Sequence, residues 1–329
     1  MTRPMRLFLG VGVLTLVGFC VPASAQERDS GVDSPEGAPI IRHRINRHGA
    51  DYVVGDAQKG FALTTGGTTN LTPLTNHGGP VINTPTIYYI WYGDWNQSNG
   101  SDTPGGQQIL RDFANSIGGS GYFHLNDNLT GSGGTSVTGM ASFGGEASDA
   151  YSAGTRLSDS AILTIVNRAI ANGLPYNASG VYFVLTSSDV NKQGFCHQYC
   201  GWHTAATASY GRVRYSFIGN ANRCLNNCAA QTKGPNGNAG VDAMVSIIAH
   251  ELEEATTDPD LNAWYDASGN ENADKCAWTF GHSQYQVANG AWANVHLGSR
   301  DYLIQRNIRH NSTLNGTSGD QCQMDATHN

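Results

Sequence analysis

The chain has 329 residues, only 14% of them charged, with 41 glycines and a formal net charge of −7 at pH 7. That length can bury a core of its own. The acidic balance offers no basic surface, so neither nucleic acid nor an anionic membrane is an expected partner.

Arg3 and Arg6 precede an apolar run from Leu7 to Val21, followed by Ala23-Ser24-Ala25. This is the pattern of a secretory signal peptide over residues 1–25, cleaved after Ala25. The run is too short and badly flanked to span a membrane, and Cys20 sits inside it behind the bulky Phe19. The mature chain is therefore expected as a soluble monomer outside the cell, in the periplasm or at a wall, with no membrane insertion. Residues 26–79 show little hydrophobic periodicity and one basic cluster, Arg42-His43-Arg44 through Arg47-His48. They read as a linker, a propeptide or a poorly ordered arm.

From Pro80 the chain becomes patterned, and 80–329 reads as one globular domain. Thr86 to Tyr92 is an aromatic and branched run between Pro85 and Gly93, which predicts a buried strand. Leu110, Phe113 and Ile117 fall at helical spacing within Gln107 to Ile117. Ser158 to Ala171 predicts a second helix, capped by Ser158 or Asp159. Gly180 to Thr186 is a core strand, Val213 to Ile218 a shorter one, and Asn294 to Ile304 supplies closing strands. The alternation, with long glycine-rich connections such as Gly131 to Gly145, predicts an α/β or α+β domain with a mixed sheet and packed helices.

Six cysteines remain once the signal is removed, at 196, 200, 224, 228, 276 and 322. An even number in an exported chain predicts disulfides. The expected pairing is Cys196–Cys200, Cys224–Cys228 and Cys276–Cys322. Four thiolates around zinc, from the two C-x-x-x-C pairs, are the rival reading.

Val241 to Pro259 carries the chemistry. Val245, Ile248, Leu252 and Ala255 form one stripe of an amphipathic helix. His250 and Glu254 are four apart and leave the same face, with Glu251 about a quarter turn away. Asp258 extends that row and Pro259 stops the helix; Glu253 reads as solvent-facing. H-E-x-x-E is the zinc-hydrolase pattern H-E-x-x-H with a carboxylate replacing the second imidazole. The bland alternative is a solvated face on which His250 joins a salt-bridge ladder. The acids at 251, 253 and 254 have no lysine or arginine four residues away, which counts against it.

Several longer motifs resemble the plant exordium / phosphate-induced protein family and its microbial relatives. They are IYYIWYG at 87–93, ILRDF at 109–113, LPYNASGVYFVLTSSDV at 174–190, FCHQYCGWH at 195–203 and FIGNANRCLNNCA at 217–229. GVDAMVSIIAHELEEATTDPDLNAWYD at 240–266, ENADKC at 271–276 and GSRDYLIQ at 298–305 complete the set. The resemblance implies a protein secreted to the wall or extracellular space, associated in plants with cell expansion. It also implies that His203, His250, Glu251, Glu254, Glu271 and Asp274 occupy positions the family shares. Asp258 departs from the plant pattern, which tends to carry Asn there.

His250 and Glu254 give two ligands for Zn²⁺, and a catalytic zinc needs a third. The resemblance directs attention to Glu271 and Asp274, pinned by Cys276, and to His203, whose plainer reading is a hydrogen-bonded loop histidine. Glu251 is then the general base. Asp266-x-Ser268-x-Asn270 resembles half of a calcium loop, placing a Ca²⁺ alternative between Asp266 and Asp274, but Glu271 stands where glycine belongs. No G-x-S-x-G follows a strong strand, and there is no phosphate-cradling or dinucleotide motif. The six tryptophans read as packing before they read as a sugar-stacking surface. The leading expectation is a secreted, zincin-like zinc hydrolase, most simply a peptidase acting on a peptide. Its competitor is a non-catalytic extracellular protein that binds a cell-wall component or a receptor, with a structural metal or none.

Overall fold

In the computed structural model, residues 41–44, 72–314 and 317–326 are described; the signal peptide and most of the 26–79 stretch lie outside the described residues. The central sheet has six strands: β1 Ile41–Arg44, β2 Thr86–Tyr92, β3 Ser142–Asp149, β4 Gly180–Thr186, β5 Tyr199–Ala208 and β6 Gly211–Ile218. Their order across the sheet is β1-β5-β6-β4-β2-β3. β6, β4, β2 and β3 are parallel neighbours, whereas β5 pairs antiparallel with both β6 and β1. This is the expected mixed sheet.

β2 and β4 coincide with the runs read from sequence. Their branched and aromatic side chains are almost continuously buried, as a parallel strand covered on both faces requires. Two strands escaped the pattern. β3 (SFGGEASD) falls partly within the glycine-rich connection expected from Gly131 to Gly145, and β5 (YCGWHTAATA) has the composition of a loop. Small residues let β5 lie under a helix: a Cβ at Gly201 would meet Ile247 Cγ2 at 2.6 Å.

Among the described residues three helices exceed ten residues. α1, Pro104–Ser116, starts ahead of the expected Gln107, because Thr103 accepts the Gly106 N–H and Pro104 suits the first turn. α2, Asp159–Ala171, is capped by Ser158, which accepts the Ala161 N–H. α3, Ala239–Thr257, is capped by Asn238 on the Val241 N–H. It packs against β5 and β6, and is buried at 17 of its 19 residues. The amphipathic reading is therefore corrected: α3 is a central helix, and its polar half is buried as deeply as its apolar stripe.

The disulfide count agrees with the sequence but two pairings do not. The bonds are Cys196–Cys224, Cys200–Cys228 and Cys276–Cys322. Cys200 lies in extended β5, and the segment after β6 runs back alongside it. Each cysteine therefore meets its counterpart 28 residues away, with Cα atoms 5.7 and 5.5 Å apart. Closing loops of that size stabilises the fold by roughly 3–4 kcal/mol each, by restricting the unfolded chain. The third bond clasps the terminal hairpin Asn307–Leu314/Thr317–Gln323, which the sequence did not announce. The expected closing strands are a short hairpin, Val295–Leu297 with Arg300–Tyr302. Two pieces of the 26–79 stretch are also paired: β1 on β5, and Thr75–Asn76 on Trp264–Tyr265.

Candidate metal centre

Three segments deliver the site. The second half of α3 brings His250, Glu251 and Glu254, strand β5 brings His203, and the loop after Asn270 brings Glu271 and Asp274. His203 and His250 are 1% exposed, Glu251, Glu254 and Glu271 are 0%, and the Asp274 side chain is 3%. His203 is therefore a strand histidine under the central helix, correcting its plainer reading as a loop residue. It is held in place because the β5 backbone is paired on both sides, to β1 and to β6.

The six side chains converge. His203 Nδ1 lies 3.0 Å from Glu251 Oε2 and 3.5 Å from Glu254 Oε2, while its Nε2 is 3.7 Å from Glu271 Oε2. His250 Nε2 lies 3.0 Å from Glu254 Oε1 and 3.4 Å from Asp274 Oδ1. Two overlapping sets, His203/Glu251/Glu254 and His250/Glu254/Asp274, each bring their ligand atoms within 4.8 Å of one another, and Glu254 belongs to both. The loop is fastened by its backbone: the Asp274 N–H donates to Glu254 Oε1 and the Glu271 N–H donates to Asp274 Oδ2, both at 3.1 Å.

Burying four carboxyl groups together is costly unless protons or a cation balance them. Burial, then the neighbouring Asp274, pushes Glu254 up to about 8, against the opposing pull of His250. Burial alone would lower His250, but Glu254, with Asp274 and Glu251, holds it well above the usual histidine range. Glu254 Oε2 and Asp274 Oδ1 are buried and accept no hydrogen bond. Carboxyl oxygens left in that condition beside two imidazoles suit a divalent cation, which would displace the proton, and the nitrogen donors favour zinc or another late first-row metal over calcium or magnesium.

Two residues read from the helix, and Asp266 from the loop after it, have other places. Glu253 is not solvent-facing: it is 0% exposed, and its Oε2 accepts hydrogen bonds from the Asn126 and Asn307 side-chain amides. Burial raises it well above the usual carboxylate range, despite the Asn307 bond. Asn272 joins the same cluster, its amide donating to Asn126 Oδ1 at 2.9 Å, and so ties the ligand-bearing loop to α3. The sequence carries no signal for Asn126 and Asn307, which come from a short 3-10 helix and from the terminal hairpin and are polar where the pattern rewards apolar residues. Asn272 lies inside the ENADKC motif, where attention falls on its charged neighbours. Asp258 closes the helix rather than extending the ligand row: its Oδ1 accepts the Asn262 and Ala263 N–H groups. Asp266 Oδ1 accepts the Ser268 and Asn270 N–H groups, and Lys275 donates to its Oδ2 at 2.7 Å. Trp91, Trp95, Trp202 and Trp264 are buried in cores, in keeping with the packing reading.

Residues 74–302 match the model of the phosphate-induced protein 1 conserved region. The chain is 34% identical over 299 residues to Protein EXORDIUM-like 3 of Arabidopsis thaliana, covering 78% of this chain and 85% of that protein. It is 33% identical over 230 residues to EXORDIUM-like 5 of the same plant, covering 60% and 61%. Against Protein PHOSPHATE-INDUCED 1 of Nicotiana tabacum it is 26% identical over 185 residues, covering 47% and 57%. No solved structure matches the chain.

Proposed function

We propose, for a chain that belongs to the phosphate-induced protein 1 family, a non-catalytic extracellular role in which a buried divalent cation locks α3, β5 and the 271–274 loop together. The observation that carries this reading is the closure of the site. Six donor side chains from three segments converge in two overlapping sets that share Glu254, and each is at most 3% exposed. Structural metal sites are closed by protein ligands, whereas catalytic ones keep a position open. When bound, the cation supplies a cross-link and neutralises carboxylate charge. His203, His250, Glu254 and Asp274 would hold it, with Glu251 and Glu271 completing the shell. The Asp266 turn gives calcium thinner support, because Lys275 already occupies that carboxylate. Three disulfides fit an oxidising compartment, and no helix among the described residues is long and apolar enough to cross a membrane. In this reading the outer surface meets a wall component or receptor while the centre keeps the scaffold rigid.

One observation favours a second reading, a zincin-like hydrolase acting on peptides. His203, His250 and Glu254 are the two-histidine, one-glutamate donor set of that class, and Glu251 stands beside them as a general base. Elemental analysis of untagged protein, thermal unfolding with and without a chelator, and a peptide-hydrolysis panel separate the two. The structural reading expects stoichiometric metal, a chelator-induced fall in Tm and no chelator-sensitive hydrolysis. Hydrolysis that the chelator and Glu251→Gln both abolish would replace it with the second. Protein that never carries metal, even after incubation with zinc, sinks both.

A further inference from the structure

Two motifs that the metal centre leaves unused, FCHQYC at 195–200 and RCLNNC at 223–228, meet in a cleft of ≈ 440 Å³, a volume within the range of small-molecule sites. Both halves of the Cys196–Cys224 bond stand in its wall, beside His197, Arg223 and Asn227, and none of the residues lining it is acidic. His197 and Arg223 are exposed and Cys224 is partly so. A disulfide exchanges only where a thiolate can reach one sulfur and the other can leave as an anion. The remaining bonds fail that test. Cys200 and Cys228 are each 1% exposed. Cys322 reaches the wall of a separate cleft, but the sulfur it would release, on Cys276, is sealed at 0%.

The surroundings favour exchange and make it reversible. Arg223 precedes Cys224 in the chain, and its Nη1 donates to the Ser188 carbonyl at 3.0 Å, a neutral acceptor. Its charge can therefore draw in an anionic thiolate and steady the one that leaves. Cys196 is held at φ 71°, a costly region for a residue with a Cβ, and opening the bond lifts one constraint that keeps it there. Nothing else has to come apart. The Gly194 carbonyl accepts the His197 and Gln198 N–H groups at 3.1 and 2.8 Å, and Asn227 Nδ2 donates to the Cys196 carbonyl at 2.6 Å. Cys200–Cys228, four residues further along both segments, still ties them together.

We propose that this cleft is a thiol-exchange site, at which a small thiol opens and recloses Cys196–Cys224 while the rest of the fold stays intact. The thiolate attacks Cys224 Sγ, a new S–S bond forms as the Cys196–Cys224 bond breaks, and the electron pair leaves on Cys196, which takes up a proton. A second thiol then attacks the incoming sulfur of that mixed disulfide. It departs as the external disulfide and leaves Cys224 as a thiol, so two thiols give up two electrons and two protons to the bond. The assignment does not rest on the metal centre.

Limited reduction of the native protein tests it, with glutathione and dithiothreitol as probes, rapid alkylation to trap free thiols, and peptide mapping by mass spectrometry. Cys196 and Cys224 should be alkylated at least about tenfold faster than the other four cysteines, following the difference in access. Glutathione should be found joined to Cys224, and oxidised glutathione should restore the bond and the original Tm. Arg223→Gln should slow exchange about two- to fivefold at low salt, a difference that added salt erases and that Arg223→Lys does not show. If Arg223→Gln does not fold, the order of opening in the wild-type chain decides alone. The proposal is overturned if the three bonds open together, as they would through global unfolding, or if either of the other two opens first. An adduct on Cys196, or a folded Arg223→Gln that exchanges at the wild-type rate, overturns it as well.

Discussion

Two parts of this molecule are equally dry and are held by opposite physics. In the centre of the sheet, Tyr89, Ile90, Phe183 and Val184 are all 0% exposed, and each stabilises the fold by about 1.5–3 kcal/mol through loss of apolar surface to water. On α3, which packs against that sheet, Glu251, Glu253 and Glu254 are also 0% exposed, yet burial there opposes folding unless something balances the charge. The first region needs only its own side chains. The second is stable on a condition, and supplying that condition is what a bound cation would do.

That contrast can be broken most forcefully at His203. His203→Ala should cost about 3–5 kcal/mol in denaturant melts, because it strands buried carboxylates. Phe183→Ala should cost a similar amount by leaving a cavity. The chelator tells them apart: Phe183→Ala should keep the chelator-induced fall in stability, and His203→Ala should abolish it. Equal chelator responses would mean that the two regions are held alike. A step smaller, replacing both Cys200 and Cys228 with alanine should lower stability by about 3 kcal/mol. Metal affinity should fall with it, since that bond anchors the strand carrying His203; unchanged affinity would uncouple the clasp from the centre.

At the other end of the helix, Asp242 separates charge burial from metal binding. Burial, opposed by hydrogen bonds from Asn236, pushes it up to about 6. A raised folded value means a contribution that is full below the ordinary carboxylate range and is lost as pH rises through 6. Asp242→Asn should remove a fall in stability on the order of 1–2 kcal/mol between pH 4 and 6, read from melts across that range. A wild-type profile in the variant would assign the slope elsewhere. The smallest effect belongs to Glu253. Kept neutral among asparagines, it should tolerate Gln within about 1 kcal/mol with metal content unchanged, whereas the adjacent Glu254→Gln should release the cation. Parallel losses in the two variants would erase the distinction between these neighbours.

The same contrast explains what could be read from the chain alone. Strands β2 and β4 announce themselves because their burial is apolar and local in sequence, and the helix with its H-E-x-x-E was legible for the same reason. Its buried carboxylates were not, since depth is a property of what packs around α3. β5 went unread because glycine, alanine and threonine carry no periodic signal, although its place beneath α3 demands small residues. That omission mattered, for it hid how His203 is held. The cysteine partners depended on which segments run side by side, which spacing cannot report. The Asn126, Asn272 and Asn307 cluster gathers residues 35 to 181 positions apart, beyond the reach of any local pattern.

The paired rungs Cys196–Cys224 and Cys200–Cys228 would set an order of maturation for the proposed centre. In the reduced chain four closely placed thiolates would compete for zinc, and soft sulfur wins against carboxylate. Loading before oxidation would trap the ion in the wrong half of the molecule; oxidation first removes the decoy and delivers the β5 imidazole to its station. Protein produced in a reducing cytosol should therefore emerge mis-metallated, and export before loading would act as a proofreading step for the centre.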